Sequence, residues 1–589
     1  MIGRRGWTLV VGGLLLATAS TFAQKPHAKE EPAFRPGQVW TDTDGRPIEA
    51  HGGGILVVNG TYYWYGEDHH LGHRNQTGIA VYSSRDLYHW KNEGLALPKE
   101  SLPETFRDNG VCERAKVLYN AATRKYVMWM HLDNGDYTVA SAGVAVSGTP
   151  TGPFRFLGFS RPIAYDYGIP AEDRIHEKQL GSSFRDMNLF LDDDGSAYVI
   201  YAAEDNATTY IARLNESFTA VILPAVEGKT WARVLPKASR EGAALFKHRG
   251  RYYMFTSGTT GYSPNRADLA TASNILGPWK SLGDPCYGLE SDTTYRSQST
   301  FVLPAPGKGD DAFIYMGDRW ISNRLQDSTY VWLPFVVQSD GAVRLEFLSK
   351  WNLSVFDSKP RTLAAPVVAQ VPDSDAEPRL RWQPVAGADH YFIYRNGLPV
   401  GTTSELEFAL PQQLAGRAFS YCGAAANIRG TKSPCSRPLN IAHNRAQPVY
   451  LSDVEPDSWR QGFGTLQHDQ GIDGGPIRIA GKVFARGLGT HAVSEIVYHL
   501  GGHYSRFQSF VGVDNALKSE FPFKPSSVEF QVYVDGHLRY ESGVMVGDSA
   551  AKSVDLAIAG ADELKLVVTD AGDGTHYDHA DWADAKLLP

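Results

Sequence analysis

The sequence predicts an all-β fold: a five-bladed β-propeller followed by two β-sandwich domains. Three observations predict it. Polar or glycine-rich positions recur through the first half, at His51-Gly52-Gly53-Gly54, Glu113, Asp186, Glu241 and Gln298, with successive gaps of 62, 73, 55 and 57 residues. An aromatic-rich run follows each: Thr61 to Tyr65, Lys125 to Trp129, Ala197 to Tyr201, Arg251 to Phe255 and Phe313 to Met316. Short strands repeated at this period are the mark of a propeller. Lastly, 58 glycines and 12% aromatic residues in 589 fit many short strands and tight turns better than helices. A propeller brings the equivalent point of every blade to one axis, so residues distant in sequence line one pocket.

The elements follow in chain order. Residues 1–23 read as an export signal: Arg4 and Arg5, an apolar stretch from Trp7 to Ala19, and a small-residue exit at Thr21-Phe22-Ala23. The apolar part is short for a bilayer span. A retained anchor is the alternative, and the paired arginines also fit, weakly, a twin-arginine signal. Once the signal is cleaved, a secreted or periplasmic chain with no membrane partner is expected. A net charge of -8, a pI near 6.1 and no basic stripe argue against nucleic acid as a partner. Four cysteines in an exported chain favour disulfides. Cys422 and Cys435 are expected to pair. Cys112 and Cys286 either form a second bridge or remain buried thiols.

Residues 32–356 carry the repeat. A second recurring element, Asp86 to Trp90, Thr151 to Phe154 and Leu276 to Trp279, reads as a turn before an outer strand, with an aromatic packed on the blade. The Pro- and Ala-rich stretch from Lys359 to Pro372 marks a boundary. Residues 361–442 hold short strands and the Asn396-Gly397 turn of a small sandwich. This unit resembles a fibronectin type III domain and carries no chemistry. Residues 447–589 hold Gly487-Leu488-Gly489-Thr490-His491-Ala492 and an acidic end from Val568 to Asp584. These runs resemble an NPCBM-type carbohydrate-binding module, which implies a jelly-roll that holds sugar.

Chemistry concentrates on the axial positions. Glycoside hydrolysis needs a protonated carboxyl beside the leaving oxygen and a second group that activates water or attacks. Glu241, at the start of an inner strand among other carboxylates, is expected to have a raised pKa and to be the acid. Asp186 supplies the nearby anion that keeps the Glu241 proton in place. A structural ion pair with a blade arginine is the alternative for both. Asp192 to Asp194 read as turn residues.

The runs Asp186-Met187-Asn188-Leu189-Phe190 and Glu241-Gly242, each followed by an aromatic strand, resemble glycoside hydrolase family 43. That resemblance implies a five-bladed propeller, inverting hydrolysis, and a trio of base Asp, tuning Asp and acid Glu. Asp186 and Glu241 match the last two. Where the family has its base Asp, this chain has His51-Gly52-Gly53-Gly54. That run, with Tyr63 to Glu67, Glu113 to Asn120, Ser297-Gln298 and Met316 to Trp320, resembles the exo-β-1,3-galactanase branch. The branch implies Gln298 as base or water-holder.

A neutral amide is a poor proton acceptor, so three roles stand side by side. Gln298 holds the water through its carbonyl while another group takes the proton, or it acts as its imidic acid, or Glu113 is the base. The preferred assignment has Gln298 position the water and Glu113 hold substrate. Glu67 and Arg319 are assigned as sugar contacts, with buried ion pairing as the alternative. His51 to Gly54 also matches an esterase oxyanion run, but no Gly-x-Ser-x-Gly turn accompanies it.

In the last module, His491 and Trp582 are candidate sugar contacts, with a Trp packed in the core as the equal alternative. Asp570, Asp573, Asp578 and Asp581 present oxygen ligands suited to a structural calcium. The chemistry itself requires no cofactor. The expected partner is a polysaccharide or oligosaccharide, and the expected activity is an inverting exo-β-1,3-galactanase. An arabinofuranosidase, a galactofuranosidase or a non-catalytic sugar-binding propeller are the alternatives.

Overall fold

A computed structural model describes residues 32–72, 76–107, 109–164, 182–322, 324–357, 362–371, 378–443, 448–514, 527–572, 574–575 and 578–589. The export signal expected over 1–23 and Asp573 lie outside these residues. The described chain is almost entirely β, with one short α-helix at Glu104–Arg107.

Five antiparallel sheets occupy the first half, and in each the strand order follows the chain. The first contains β1 (His51–Val58), β2 (Thr61–Glu67), β3 (Gly78–Ser84) and β4 (Lys91–Pro98). The second contains β5 (Val111–Asn120), β6 (Lys125–Asp133), β7 (Ser141–Ser147) and β8 (Arg155–Ser160). The third contains β9 (Arg185–Leu191), β10 (Ala197–Ala203), β11 (Thr208–Arg213) and β12 (Trp231–Val234). The fourth contains β13 (Arg240–His248), β14 (Arg251–Gly258), β15 (Asp268–Ala272) and β16 (Lys280–Ser281). After β17 (Cys286–Tyr287), the fifth contains β18 (Gln298–Pro304), β19 (Ala312–Arg319) and β20 (Thr329–Val336); β17 pairs in parallel with β21 (Leu345–Glu346). Every predicted aromatic run lies on the second strand of its sheet, where large side chains fill the space between neighbouring sheets.

The first strands meet one another. Asn188 on β9 donates to the carbonyls of Ala243 on β13 (2.8 Å) and Thr300 on β18 (3.0 Å). Ser299 on β18 donates to the Gly242 carbonyl at 2.6 Å. Lys116 Nζ on β5 donates to the Gly52 carbonyl on β1 at 2.7 Å. Burial pushes the Lys116 ammonium down to about 7, with the Arg114 charge acting in the same direction.

A shared irregularity sets the site. Pairing of each first strand with the second slips at its start: between His51 and Gly54, Glu113 and Lys116, Arg185 and Met187, Glu241 and Ala244, and Ser299 and Phe301. Four of these slips hold a residue in the left-handed region, Gly52 (φ 57°), Arg114 (φ 56°), Asp186 (φ 26°) and Gly242 (φ 60°). A bulge re-aims side chains at the end of a strand. Here it turns the start of each first strand toward the others.

Two further β regions follow. In the first, one sheet joins Ala369–Gln370, Arg379–Arg381 and Glu407–Ala409, and another joins Leu398–Thr403, His390–Arg395, Arg417–Ala426 and Leu439–His443. They enclose a core that includes Leu380, Trp382, Ile393 and Tyr421. Cys422 and Cys435 are joined as expected. Of the two alternatives for Cys112 and Cys286, the structure has the free, buried thiols. They pack in separate apolar clusters, so neither reaches the other.

In the last region, two sheets share one apolar core. Strand Glu563–Thr569 buries every second residue, which places Leu564, Leu566 and Val568 inside. They meet Leu488, Val511 and Trp582 from the other sheet.

Candidate active site

Five predicted residues converge at the bulged strand starts. Glu241 Oε1 accepts from Gln298 Nε2 at 3.0 Å, and its Oε2 accepts from Asn206 Nδ2 at 3.3 Å. Gln298 Nε2 also donates to Ser257 Oγ at 3.1 Å. Its Oε1 accepts from Trp320 Nε1 at 2.9 Å and from Arg114 Nη2. Arginine and indole can only donate, so the atom facing them must be the amide oxygen. That orientation forces the NH2 toward Glu241.

Arg114 is the cation of the site, and the numbered axial positions did not single it out. Its Nη2 lies 3.0 Å from Asp186 Oδ2, its Nη1 donates to the Ser299 carbonyl at 3.2 Å, and its guanidinium sits 5.9 Å from the Trp320 ring centre. Its backbone N–H donates to Glu67 Oε1 at 2.8 Å. The available signal was its place beside Glu113 in a strand that is buried along most of its length. The offset is informative: Arg114, not Glu113, shares the left-handed bulge position with Asp186.

The surroundings of Glu241 disfavour its charged form. Burial raises its pKa well above the usual carboxylate range, the Asp186 charge adds to this, and Arg114 and the Gln298 hydrogen bond oppose it. Asp186 also accepts from the Gly242 N–H at 3.1 Å, which ties the anion to the residue following the acid.

Glu113 has its own partners. Tyr137 OH donates to its Oε1 at 2.7 Å, and His131 Nδ1 donates to its Oε2 at 3.1 Å. The other ring nitrogen of His131 meets Asp133 Oδ2 at 3.2 Å. Burial disfavours the imidazolium, but the bonds to Asp133 and Glu113 outweigh it and lift the pKa to about 9. Glu67 receives His69 Nε2 at 2.8 Å. Burial, then the Glu113 charge, pushes Glu67 up to about 8, and burial with the neighbouring His51 brings His69 down to about 3. His51 lies against Asp318 (3.2 Å), which also accepts from the Gly52 N–H at 2.9 Å. Arg319 donates to the Tyr295 carbonyl at 2.8 Å and lies 5.9 Å from the Phe347 ring centre.

A cleft of about 220 Å³, counting its part open to solvent, is lined by residues 261–265, 296–298, Asp318 and Trp320. Gln298 is therefore shared by the cleft and the acid. A neutral acid fixed against a doubly braced amide at the foot of a cleft can give a proton to a leaving oxygen.

The C-terminal candidates lie elsewhere. His491 donates through Nδ1 to the Ala492 carbonyl at 2.7 Å, with its ring 5.4 Å from Phe463 and 5.5 Å from His579. Trp582 is a correction: it is 0% exposed and packs edge-on to Phe530 at 5.1 Å, so it belongs to the core. Asp578 and Asp581 are also 0% exposed, while Asp570 accepts from the Gly572 N–H at 3.2 Å. Among the described residues, no group of three or more His, Cys, Asp or Glu is placed to hold a metal ion. No described helix is long and apolar enough to cross a membrane.

Comparison with known proteins adds likenesses of three kinds. Residues 50–285 match the glycosyl hydrolases family 43, and residues 447–588 match the NPCBM/NEW2 domain. Among solved structures, an exo-β-1,3-galactanase from Clostridium thermocellum is 30% identical, with a TM-score of 0.50, over 68% of this chain and 83% of that one. A family 43 β-1,3-galactosidase solved with galactodeoxynojirimycin is 39% identical, with a TM-score of 0.49, over 54% of this chain and 100% of that one. A putative endo-α-N-acetylgalactosaminidase of Renibacterium salmoninarum is 35% identical over 152 residues, 24% of this chain. The chain spans 9% of that relative's length, and 16% of a second curated relative's.

Proposed function

The chain belongs to glycosyl hydrolase family 43, and on that footing we propose that its first half is a five-bladed β-propeller that releases galactose from the non-reducing end of β-1,3-galactan with inversion. The five sheets are the blades and their bulged first strands form the hub. The observation that carries this reading is the Glu241–Gln298–Arg114–Asp186 network. Glu241 is the general acid. The Asp186 charge favours its protonated form, and Arg114 pairs with Asp186 at 3.0 Å.

Gln298 acts first as a clamp. A carbonyl oxygen has two lone pairs, and both face donors, Arg114 and Trp320. A water taken up by Gln298 replaces one of them, and Trp320, at the cleft wall, is the donor that substrate can displace. Glu113, fixed by Tyr137 and His131, holds a sugar hydroxyl. Export followed by folding in an oxidising compartment agrees with the Cys422–Cys435 bridge. The C-terminal module then keeps the polymer close to the hub.

The test is anomer-resolved analysis of products from β-1,3-galacto-oligosaccharides. Galactose appearing first as the α-anomer, one unit per event, is expected. Release of β-galactose, internal cleavage or no galactose overturns the reading.

A further inference from the structure

We propose that the C-terminal module builds the leaving-group side of the catalytic cleft, so that one β-1,3-galactan chain runs from the cleft directly onto Gln470 and Asp473. The proposal rests on the glycosidase reading above and adds to it a second wall, supplied by a different part of the chain.

The lip of the cleft is unusual backbone. Thr294, Tyr295 and Arg296 are three successive non-glycine residues in the left-handed region, with φ of 53°, 57° and 58°. Such a residue persists only where its surroundings over-determine it. Here they do. The Tyr295 hydroxyl donates to the Leu345 carbonyl at 2.6 Å and accepts from the Tyr287 N–H at 2.9 Å. Arg319 grips the Tyr295 carbonyl, and Thr294 Oγ1 donates to the Asn265 carbonyl at 2.8 Å. Arg319 thus acts on the cleft through the lip.

The lip delivers Arg296 to the rim, where its Nη2 donates to Gln470 Oε1 at 2.5 Å. From the other side of the cleft, two residues beyond Trp320, Ser322 Oγ donates to the Asp473 carbonyl at 3.5 Å. Both rims therefore touch one turn of the module, closed by Gly471 N–H to Gly475 O at 2.8 Å.

Recognition groups continue away from that turn. Asp473 Oδ2 lies 3.0 Å from His579 Nδ1. The His579 ring is next to His491, and His491 is next to Phe463, which is 59% exposed. A galactopyranose has hydroxyls for Gln470 and Asp473 to bind, and an apolar face that suits the exposed Phe463 ring.

The test compares kcat/KM on β-1,3-galactobiose and β-1,3-galactotetraose for the full chain, Gln470→Ala and Phe463→Ala. In both variants the tetraose-to-biose ratio is expected to fall about fivefold, the size of one lost hydrogen bond or ring contact. Phe463 is exposed, so its variant folds even if Gln470→Ala does not. An unchanged ratio in either folded variant overturns the composite wall while leaving the hydrolase intact. Absence of galactose release by the parent from both substrates removes the reading beneath it.

Discussion

Glu241 among the bulged first strands of the N-terminal sheets and Asp581 inside the C-terminal sheets stand in similar surroundings. Both are buried carboxyls, both have pKa values raised by burial first, and both face a second anion, Asp186 in one case and Asp514 in the other. Their access differs. Glu241 lies on a bulged strand start, bonded to an amide that lines a cleft. Asp581 is 0% exposed, on a strand paired on both sides, with Gly489 and with Gly512. A raised pKa marks a place where charge is costly, and an opening is what turns that cost into proton transfer.

The comparison is broken or sharpened by substitution. The largest effect is expected from Glu241→Gln, which should lower kcat roughly 100- to 10,000-fold, the usual worth of a general acid. Asp581→Asn should leave kcat within about twofold and shift only the unfolding midpoint, as a change remote from the chemistry does. Steady-state kinetics with a thermal melt on each variant decides it; a similar loss of kcat in both would erase the distinction.

The next effect concerns pH. The acid must be protonated, so activity falls as pH rises through the raised pKa of Glu241. Asp186→Asn removes the anion that helps raise it, so the alkaline limb of kcat/KM should move to lower pH, by about one pH unit. A pH-rate profile reads this directly, and a limb that stays in place or moves upward contradicts the role given to Asp186.

The smallest effect comes from a third buried cluster, with no part in the chemistry. His390 is paired with Glu346 and with Asp389, each at 2.6 Å, joining the first half of the chain to the middle region. Burial opposes its charge, but the two carboxylates win and raise its pKa from 6.5 to about 9. The stabilisation is therefore complete below pH 6.5 and is lost as pH rises through about 9. The loss amounts to about 3 kcal/mol at most. Between pH 6.5 and 9 the urea midpoint should fall by less in His390→Gln than in the parent, the difference being the His390 contribution.

Much of this was legible beforehand, for identifiable reasons. The aromatic runs are second strands because alternating large side chains have a local period that any stretch of chain displays. Glu241, Asp186 and Gln298 were found because each begins a strand at a recurring interval. Arg114, Asn206, Ser257, Trp320, Tyr137 and His131 were not, because nothing in their own neighbourhoods distinguishes them from ordinary strand and turn residues. Trp582 shows the opposite error. An aromatic in an acidic run resembles a sugar platform, and only the pairing of its strand with two others reveals that it points into the core.

The chain's own order of residues determined the strands and their grouping into sheets, since these depend on neighbours a few positions apart. Tertiary structure alone decided which groups meet. The bulges turn residues from 114, 186, 241 and 298 toward one point, and the meeting of Arg296 with Gln470 joins segments 174 residues apart. Such contacts arise from how whole sheets pack, and packing is settled by the sum of many distant surfaces rather than by any local run of residues.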